Sequence, residues 1–82
     1  MYALVLIDIS PRFFDKLELL RFLENIEENE AQETKDSKIL EGVWLIDLSR
    51  QLSFLCKILR EVQGRHLSYR VSFFENKPEF II

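Results

Sequence analysis

Two apolar runs constrain the fold of this chain more than any other feature of its sequence. Residues 2 to 9 are apolar except at Asp8, and residues 43 to 48 are apolar except at Asp47. Successive side chains of a strand point to opposite faces of a sheet, so a strand that is apolar at both sets of positions is one covered on both faces. The two runs therefore predict two central strands.

Two amphipathic helices are predicted between the strands. The first runs from about Pro11 to Ile26 after a Ser10-Pro11 start signal, and the second is capped by Ser49 and ends at Gly64. Their core faces follow the i, i+3, i+4, i+7 pattern and comprise Phe13, Leu17, Leu20, Leu23, Leu52, Leu55, Cys56, Leu59 and Val62. Four apolar residues lie outside these faces and are candidates for a partner surface: Phe14, Phe22, Phe54 and Ile58.

The other strands are less apolar. The polar residues 24 to 38 predict a solvated turn that leads into an exposed edge strand, with an acidic mimic of nucleic acid as the alternative interpretation. Residues 66 to 74 alternate between apolar and polar side chains, which predicts a half-exposed strand. The tail from Glu79 to Ile82 is apolar and short, and we expect it to add itself to another strand.

This order of elements predicts a single domain, residues 1 to 82, with the ferredoxin-like β-α-β-β-α-β arrangement. Such a domain is an α+β sandwich with two helices on one face of an antiparallel sheet, here followed by a short C-terminal extra strand. Its first and third strands are central, in agreement with the two apolar runs. Because two helices cover only one face, a second copy of the chain is expected to bury the other, which makes a homodimer.

The charges favour a protein partner over a polyanion. Residues 1 to 41 carry five basic and ten acidic side chains, residues 42 to 82 carry six and four, and no basic stripe is obvious. The single Cys56 and the single His66 cannot form an internal disulfide or a zinc site within one chain. With no run long enough to span a bilayer and no leader pattern, we expect a cytoplasmic protein without a membrane partner.

Three segments, "MYALVLIDIS", "EGVWLIDLS" and "LSYRVSFF", resemble strands of the small CRISPR-associated adaptation nuclease family. Members of that family are ferredoxin-like dimers that work with the spacer integrase, and a short trailing strand crosses to the partner subunit. The GhoS-type antitoxin endoribonucleases are a related possibility with the same fold. The resemblance implies a nucleic-acid-associated protein, either a metal-dependent endonuclease or an inactive relative that acts as a dimeric scaffold.

Asp8 is the candidate catalytic and metal-binding residue that the resemblance implies. Paired with its copy across the dimer axis, it would hold a magnesium ion that polarises a phosphodiester and activates water. The competing interpretation is structural, with Asp8 solvated or bonded to the amides of the following turn. Antiparallel pairing of the first and last main strands is expected to bring Arg65 and His66 near Asp8 and Arg12, where His66 could move a proton or be an exposed bystander.

The remaining candidate residues concern binding. Four cations are candidate nucleic-acid contacts: Arg12, Lys16, Arg65 and Arg70. Trp44 is expected in the core or the dimer interface rather than as a base-stacking platform, because it lies inside an apolar run. The trailing strand places Phe80 and Ile81 in the predicted dimer interface.

A second function, from a different class, is also open. The low pI and the acidic residues 24 to 36 favour a non-catalytic acidic interaction protein. Such a protein would be an antitoxin or an inhibitor of a defence complex. Its partner would be a protein such as a toxin or an integrase rather than a nucleic acid. Apart from magnesium in the nuclease alternative, no cofactor is expected.

Overall fold

A computed structural model describes residues 1–10 and 15–79. The elements of this described part, in chain order, are β1 (Tyr2–Ile7), α1 (Lys16–Glu27), α2 (Gln32–Lys35), β2 (Lys38–Leu40), β3 (Val43–Asp47), α3 (Leu48–Gly64) and β4 (Tyr69–Phe74). The described strands form a four-stranded antiparallel sheet in the order β2-β3-β1-β4. The two apolar runs therefore form neighbouring central strands. This small α+β architecture is compatible with a ferredoxin-like arrangement.

The core lies between one face of the sheet and the helices. Ala3, Val5 and Ile7 of β1 point to this covered face, where Val5 is opposite Trp44 and Ala3 is opposite Ile46 of β3. All five side chains are buried, because the alternation of a strand places every second residue on the same face. Helices α1 and α3 complete the core with buried side chains that include Phe22, Ile26, Phe54, Leu55, Ile58 and Val62.

Helix α1 has a different start from the predicted one. It begins at Lys16 because Asp15 is the N-cap, with a carboxylate that accepts a hydrogen bond from the N–H of Glu18 at 2.8 Å. This hydrogen bond lowers the pKa of Asp15. The predicted start at Pro11 lies outside the described residues.

The buried face of α1 also differs from the predicted one. Phe22 is fully buried, whereas Leu17 and Leu20 are 57% and 49% exposed. The prediction of Leu17 and Leu20 as core residues and of Phe22 as a surplus residue is therefore wrong. Two overlapping apolar stripes run along this helix, one with Leu17 and Leu20 and the other with Phe22 and Ile26. The stripe that contains the larger side chain, Phe22, faces the core. Phe13 and Phe14 lie outside the described residues.

The cap and the buried face of helix α3 also differ in part from the predicted ones. It is capped by Asp47 rather than by Ser49, whose N–H and hydroxyl both donate to Asp47 Oδ1, at 3.0 and 2.7 Å. The first turn is then interrupted at Gln51, where φ is −130° and ψ is 28°. Past this kink Phe54 and Ile58 are buried, so their prediction as partner-surface residues is wrong. Two predicted core residues are exposed instead: Leu52 and Cys56.

The polar residues 24 to 38 contain the one-turn helix α2, which the sequence did not predict, and they lead into the short strand β2 at the sheet edge. Lys38 of β2 binds Glu41 at 2.6 Å and Glu27 at 3.5 Å. Partial burial lowers the pKa of Lys38, but the hydrogen bond to Glu41 and the charges of both carboxylates outweigh it, so the pKa is raised. The edge strand is therefore short and charged, which discourages pairing with other chains.

Gly42 makes the turn between β2 and β3. Its φ is +83°, a left-handed conformation that favours glycine, and its carbonyl accepts a hydrogen bond from the N–H of Ile7 at 2.8 Å. A Cβ atom on Gly42 would lie 2.8 Å from the carbonyl oxygen of Ile7. The close approach of the two backbones therefore requires glycine here.

No helix in the described part of the chain is long and apolar enough to cross a membrane. Of the predicted extra strand, Glu79 is not in a strand. The residues after it, Phe80 to Ile82, lie outside the described residues.

Candidate functional site

The face of the sheet opposite the helices carries apolar side chains. Tyr2, Leu4 and Leu6 alternate with the buried residues of β1 and so point away from the core. Leu4 is opposite Leu45, and Leu6 is opposite Val43. All five are half-buried except Leu6, which is 40% exposed. The open face, as we call this surface, comprises Tyr2, Leu4, Leu6, Val43, Leu45, Arg70, Ser72 and Phe74.

A cleft of about 1010 Å³ lies at the Tyr2 end of the open face. Its lining includes the apolar side chains of Tyr2, Ile39 and Leu45, together with Lys77 and Pro78. The last described residues of the chain therefore lie beside the open face.

Asp8 lies at the other end of the open face, one residue beyond β1. Its N–H donates to the carbonyl of Ser68 at 2.9 Å, which continues the pairing of β1 with β4, so Asp8 has the orientation of Leu6. Its Oδ1 accepts a hydrogen bond from the N–H of Ser10 at 2.9 Å. The side chain is exposed. The carboxylate thus forms the turn hydrogen bond of the structural interpretation and is also accessible to a ligand or a second chain.

His66 is placed by the end of α3. Its φ is 56°, and the N–H of Leu67 donates to the carbonyl of Val62 at 2.9 Å, which is the hydrogen bond of a Schellman cap. The helix ends at Gly64 as predicted, but the left-handed position is His66. The His66 side chain is exposed, and within residues 1–10 and 15–79 no hydrogen bond or ion pair joins it to Asp8. Proton transfer by His66 stays a prediction.

Arg65, a predicted nucleic-acid contact, packs against the helix layer. Its guanidinium carbon lies 5.5 Å from the centroid of the Phe22 ring, and its Nε is 3.6 Å from Glu61 Oε2. The guanidinium is therefore engaged inside the chain.

Other cations are also paired with carboxylates. Three such pairs have N–O distances of 2.6, 2.8 and 3.1 Å and comprise Lys38 with Glu41, Arg50 with Glu33, and Lys57 with Glu30. Neighbouring carboxylates reduce the positive potential that would attract a phosphate backbone. At these positions the positive charge is therefore partly neutralised within the chain.

Arg70 is one of the described cations that have no carboxylate partner. It is exposed on β4 and lies opposite Leu6, two positions along the strand from Ser68, which pairs with Asp8. Among the described residues neither Arg70 nor Asp8 forms an ion pair. An anion and a cation without charged partners thus occupy the same end of the open face.

The remaining predicted site residues are distributed over the molecule. Lys16 is exposed as the first residue of α1. Trp44 is fully buried in the core of its own chain, so the core alternative holds and it has no exposed surface for a second copy. Arg12, Phe80 and Ile81 lie outside the described residues.

A magnesium site would need more ligands than Asp8. A carboxylate oxygen is the kind of ligand that this ion prefers. The described residues contain no group of three or more His, Cys, Asp or Glu side chains that could hold a metal ion. The nuclease prediction takes its second carboxylate from another copy of the chain.

The chain was compared with protein-family models, with curated proteins and with solved structures, and none of the three comparisons gives a match.

Sequence reasoning identified an uncovered apolar face but not all of its members. Phe74 and Arg70 join this face only through the register of β4 on β1, in which Tyr2 is opposite Phe74 and Leu6 is opposite Arg70. The alternation of residues 66 to 74 was the available signal, since it separates Arg70 from the core-facing positions.

Proposed function

We propose that this protein is a homodimeric, non-catalytic scaffold of the CRISPR adaptation nuclease type, with a ferredoxin-like fold and another protein as its partner. The observation that carries the proposal is the apolar open face. A sheet with helices on one side and apolar side chains on the other has surface that water solvates poorly, and a second copy can cover it by two-fold symmetry.

The charge distribution supports a protein partner over a nucleic acid. Protein–DNA affinity comes largely from cations that neutralise phosphates, and Arg65 and Lys57 are paired with Glu61 and Glu30. A spacer integrase or a toxin encoded beside this chain is the kind of partner that the resemblance suggests.

Two measurements test the scaffold function. Sedimentation of the isolated protein is expected to give the mass of a dimer, and mixing with the integrase or toxin encoded beside it is expected to give a stable complex. Titration with single- and double-stranded DNA and with RNA is expected to give no binding that weakens steeply with salt. Strong salt-sensitive binding to any of these nucleic acids would overturn the assignment to a protein partner.

The position of Asp8 favours a second candidate function, a metal-dependent endonuclease. Asp8 is exposed and shares the orientation of Leu6, so a dimer joined through the open face could bring two copies of this carboxylate together. Bound there, magnesium would supply a Lewis acid for a phosphodiester.

Cleavage of nucleic acid by the purified dimer with magnesium would support this candidate, provided that Asp8→Asn removes it. Asparagine keeps an oxygen that can accept the hydrogen bond from the N–H of Ser10. This variant therefore removes the negative charge of Asp8 while the turn hydrogen bond can still form. Cleavage that persists in Asp8→Asn would mean a contaminating nuclease and would contradict the candidate.

A further inference from the structure

We propose that the two copies of the dimer exchange an ion pair, with Asp8 of each chain facing Arg70 of the other. This inference rests on the proposed dimer and specifies which charges meet in it. It concerns the end of the open face at which β1 and β4 finish their pairing.

The positions of the two side chains follow from the pairing of β1 with β4. Arg70 is opposite Leu6, and Asp8 is opposite Ser68, so Asp8 and Arg70 are diagonal neighbours on two paired strands. Both point to the open face and both are exposed. They border the apolar residues of that face, so a second copy that covers those residues would also exclude water from the two charges.

Excluding water from a charge is costly unless an opposite charge or a hydrogen bond compensates it. In the single chain the Asp8 carboxylate accepts one hydrogen bond, from Ser10, and neither charge has an ionic partner among the described residues. A second copy can bring the compensation to both charges at once.

Two-fold symmetry makes this compensation available. In an isologous interface, if residue i of one copy contacts residue j of the other, then j of the first contacts i of the second. A two-fold axis that passes between Asp8 and Arg70 places Asp8 of each chain opposite Arg70 of the other, so that two ion pairs form in the dimer. An axis through Asp8 would instead oppose two carboxylates, which repel unless a cation lies between them.

Charge reversal with mixing tests the exchange. The single variants Asp8→Arg and Arg70→Asp each create four like charges in their homodimer, so each dissociation constant is expected to rise about tenfold or more. Mixed in equal amounts, the two variants should form a heterodimer with an affinity near that of the wild type, because every contact is then between opposite charges. The double variant Asp8→Arg/Arg70→Asp should also recover.

The outcomes distinguish this inference from the proposed function. If the wild type is a monomer at every concentration, both fail. If the wild type is a dimer and the variants neither weaken it nor complement each other, the ion-pair exchange fails and the dimer stands. Dimerisation that magnesium strengthens and Asp8→Asn abolishes would also overturn the exchange, since the two carboxylates would then face each other. Circular dichroism of each variant establishes that it is folded.

Discussion

The two faces of the central strands are both apolar, but they differ in how far their side chains are buried. Val5 and Ile46 on the covered face are fully buried beneath α1 and α3, whereas Leu6 on the open face is 40% exposed. Alternate residues of the same strands supply the two faces, so both faces are apolar along β1 and β3. What separates the faces is the number of helices available to cover them.

We therefore expect the covered face to determine the stability of the single chain and the open face to determine dimer affinity. Side chains of the covered face already have their partners in the single chain, so their truncation should unfold it. Side chains of the open face are half-buried or exposed in the single chain and gain further partners when a second chain docks. Their truncation should therefore weaken the dimer and leave the folded chain largely intact.

The largest effect is expected for Ile46→Ala, which is best compared with Leu45→Ala at the adjacent position of β3. Ile46→Ala empties a fully buried position and is expected to lower the free energy of unfolding by about 2–5 kcal/mol. Leu45→Ala removes a half-buried side chain from the open face and should cost much less. Urea unfolding at low protein concentration, where the dimer dissociates, makes this comparison. Equal losses for the two variants would contradict the distinction between the faces.

Gly42→Ala should have the next largest effect, because Gly42 joins the strands that supply both faces. A left-handed φ and a Cβ placed 2.8 Å from the Ile7 oxygen are expected to cost about 1–3 kcal/mol of unfolding free energy. Gly64→Ala is the matched control, since its Cβ would have no atom within 4 Å, and it should leave stability unchanged or slightly raised. Thermal unfolding of both variants measures the difference, and a Gly42→Ala protein as stable as the wild type would contradict the strain.

The sequence predicted the sheet well because strand periodicity is a local property. The two apolar runs became neighbouring central strands, and the polar region gave a short edge strand. It predicted the helix faces poorly, because α1 and α3 each offer more than one apolar stripe and tertiary contacts choose between them. Helix α3 also has non-helical φ and ψ angles at Gln51, which no local sequence pattern predicted.

The sequence predicted a cluster of Asp8, Arg12, Arg65 and His66, but it did not predict that Arg70 lies beside Asp8, for a related reason. Periodicity indicates which face a side chain occupies, but the register between strands decides which residues are opposite each other. The pairing of Leu6 with Arg70 places Arg70 at the same end of the open face as Asp8. Arg65, which was predicted there, packs against the ring of Phe22 instead.

A smaller effect is expected at the cap of α3, on the helix side of the molecule. His66→Gly should raise the free energy of unfolding by about 0.5–1 kcal/mol, because glycine adopts the left-handed conformation at φ 56° without strain. His66→Val should lower it, since a branched side chain fits this conformation worst. Chemical denaturation checks the order of the three proteins. Sedimentation should show an unchanged dimer, and a dimer weakened by His66→Gly would contradict a purely capping role.

The smallest effect is expected in the pH dependence of the unfolding free energy, to which the N-cap Asp47 of α3 contributes. The hydrogen bond from the Ser49 hydroxyl is the largest influence on the pKa of Asp47 and lowers it below the ordinary value of 3.8. The unfolded chain then binds the proton more readily, so this stabilisation is present above the ordinary value and is lost as pH falls through the lower folded value. Asp47→Asn, which cannot ionise, should flatten the acid side of the stability curve. A curve identical to the wild type would contradict this assignment.

Sedimentation equilibrium of the wild type beside Leu45→Glu and Leu52→Glu tests the central claim most directly. Leu52 is 55% exposed on α3, so its substitution adds the same charge on the helix side of the molecule. We expect dimers for the wild type and Leu52→Glu, and a folded monomer of 9.8 kDa for Leu45→Glu. A monomeric wild type, or a Leu45→Glu variant as dimeric as the wild type, would contradict it.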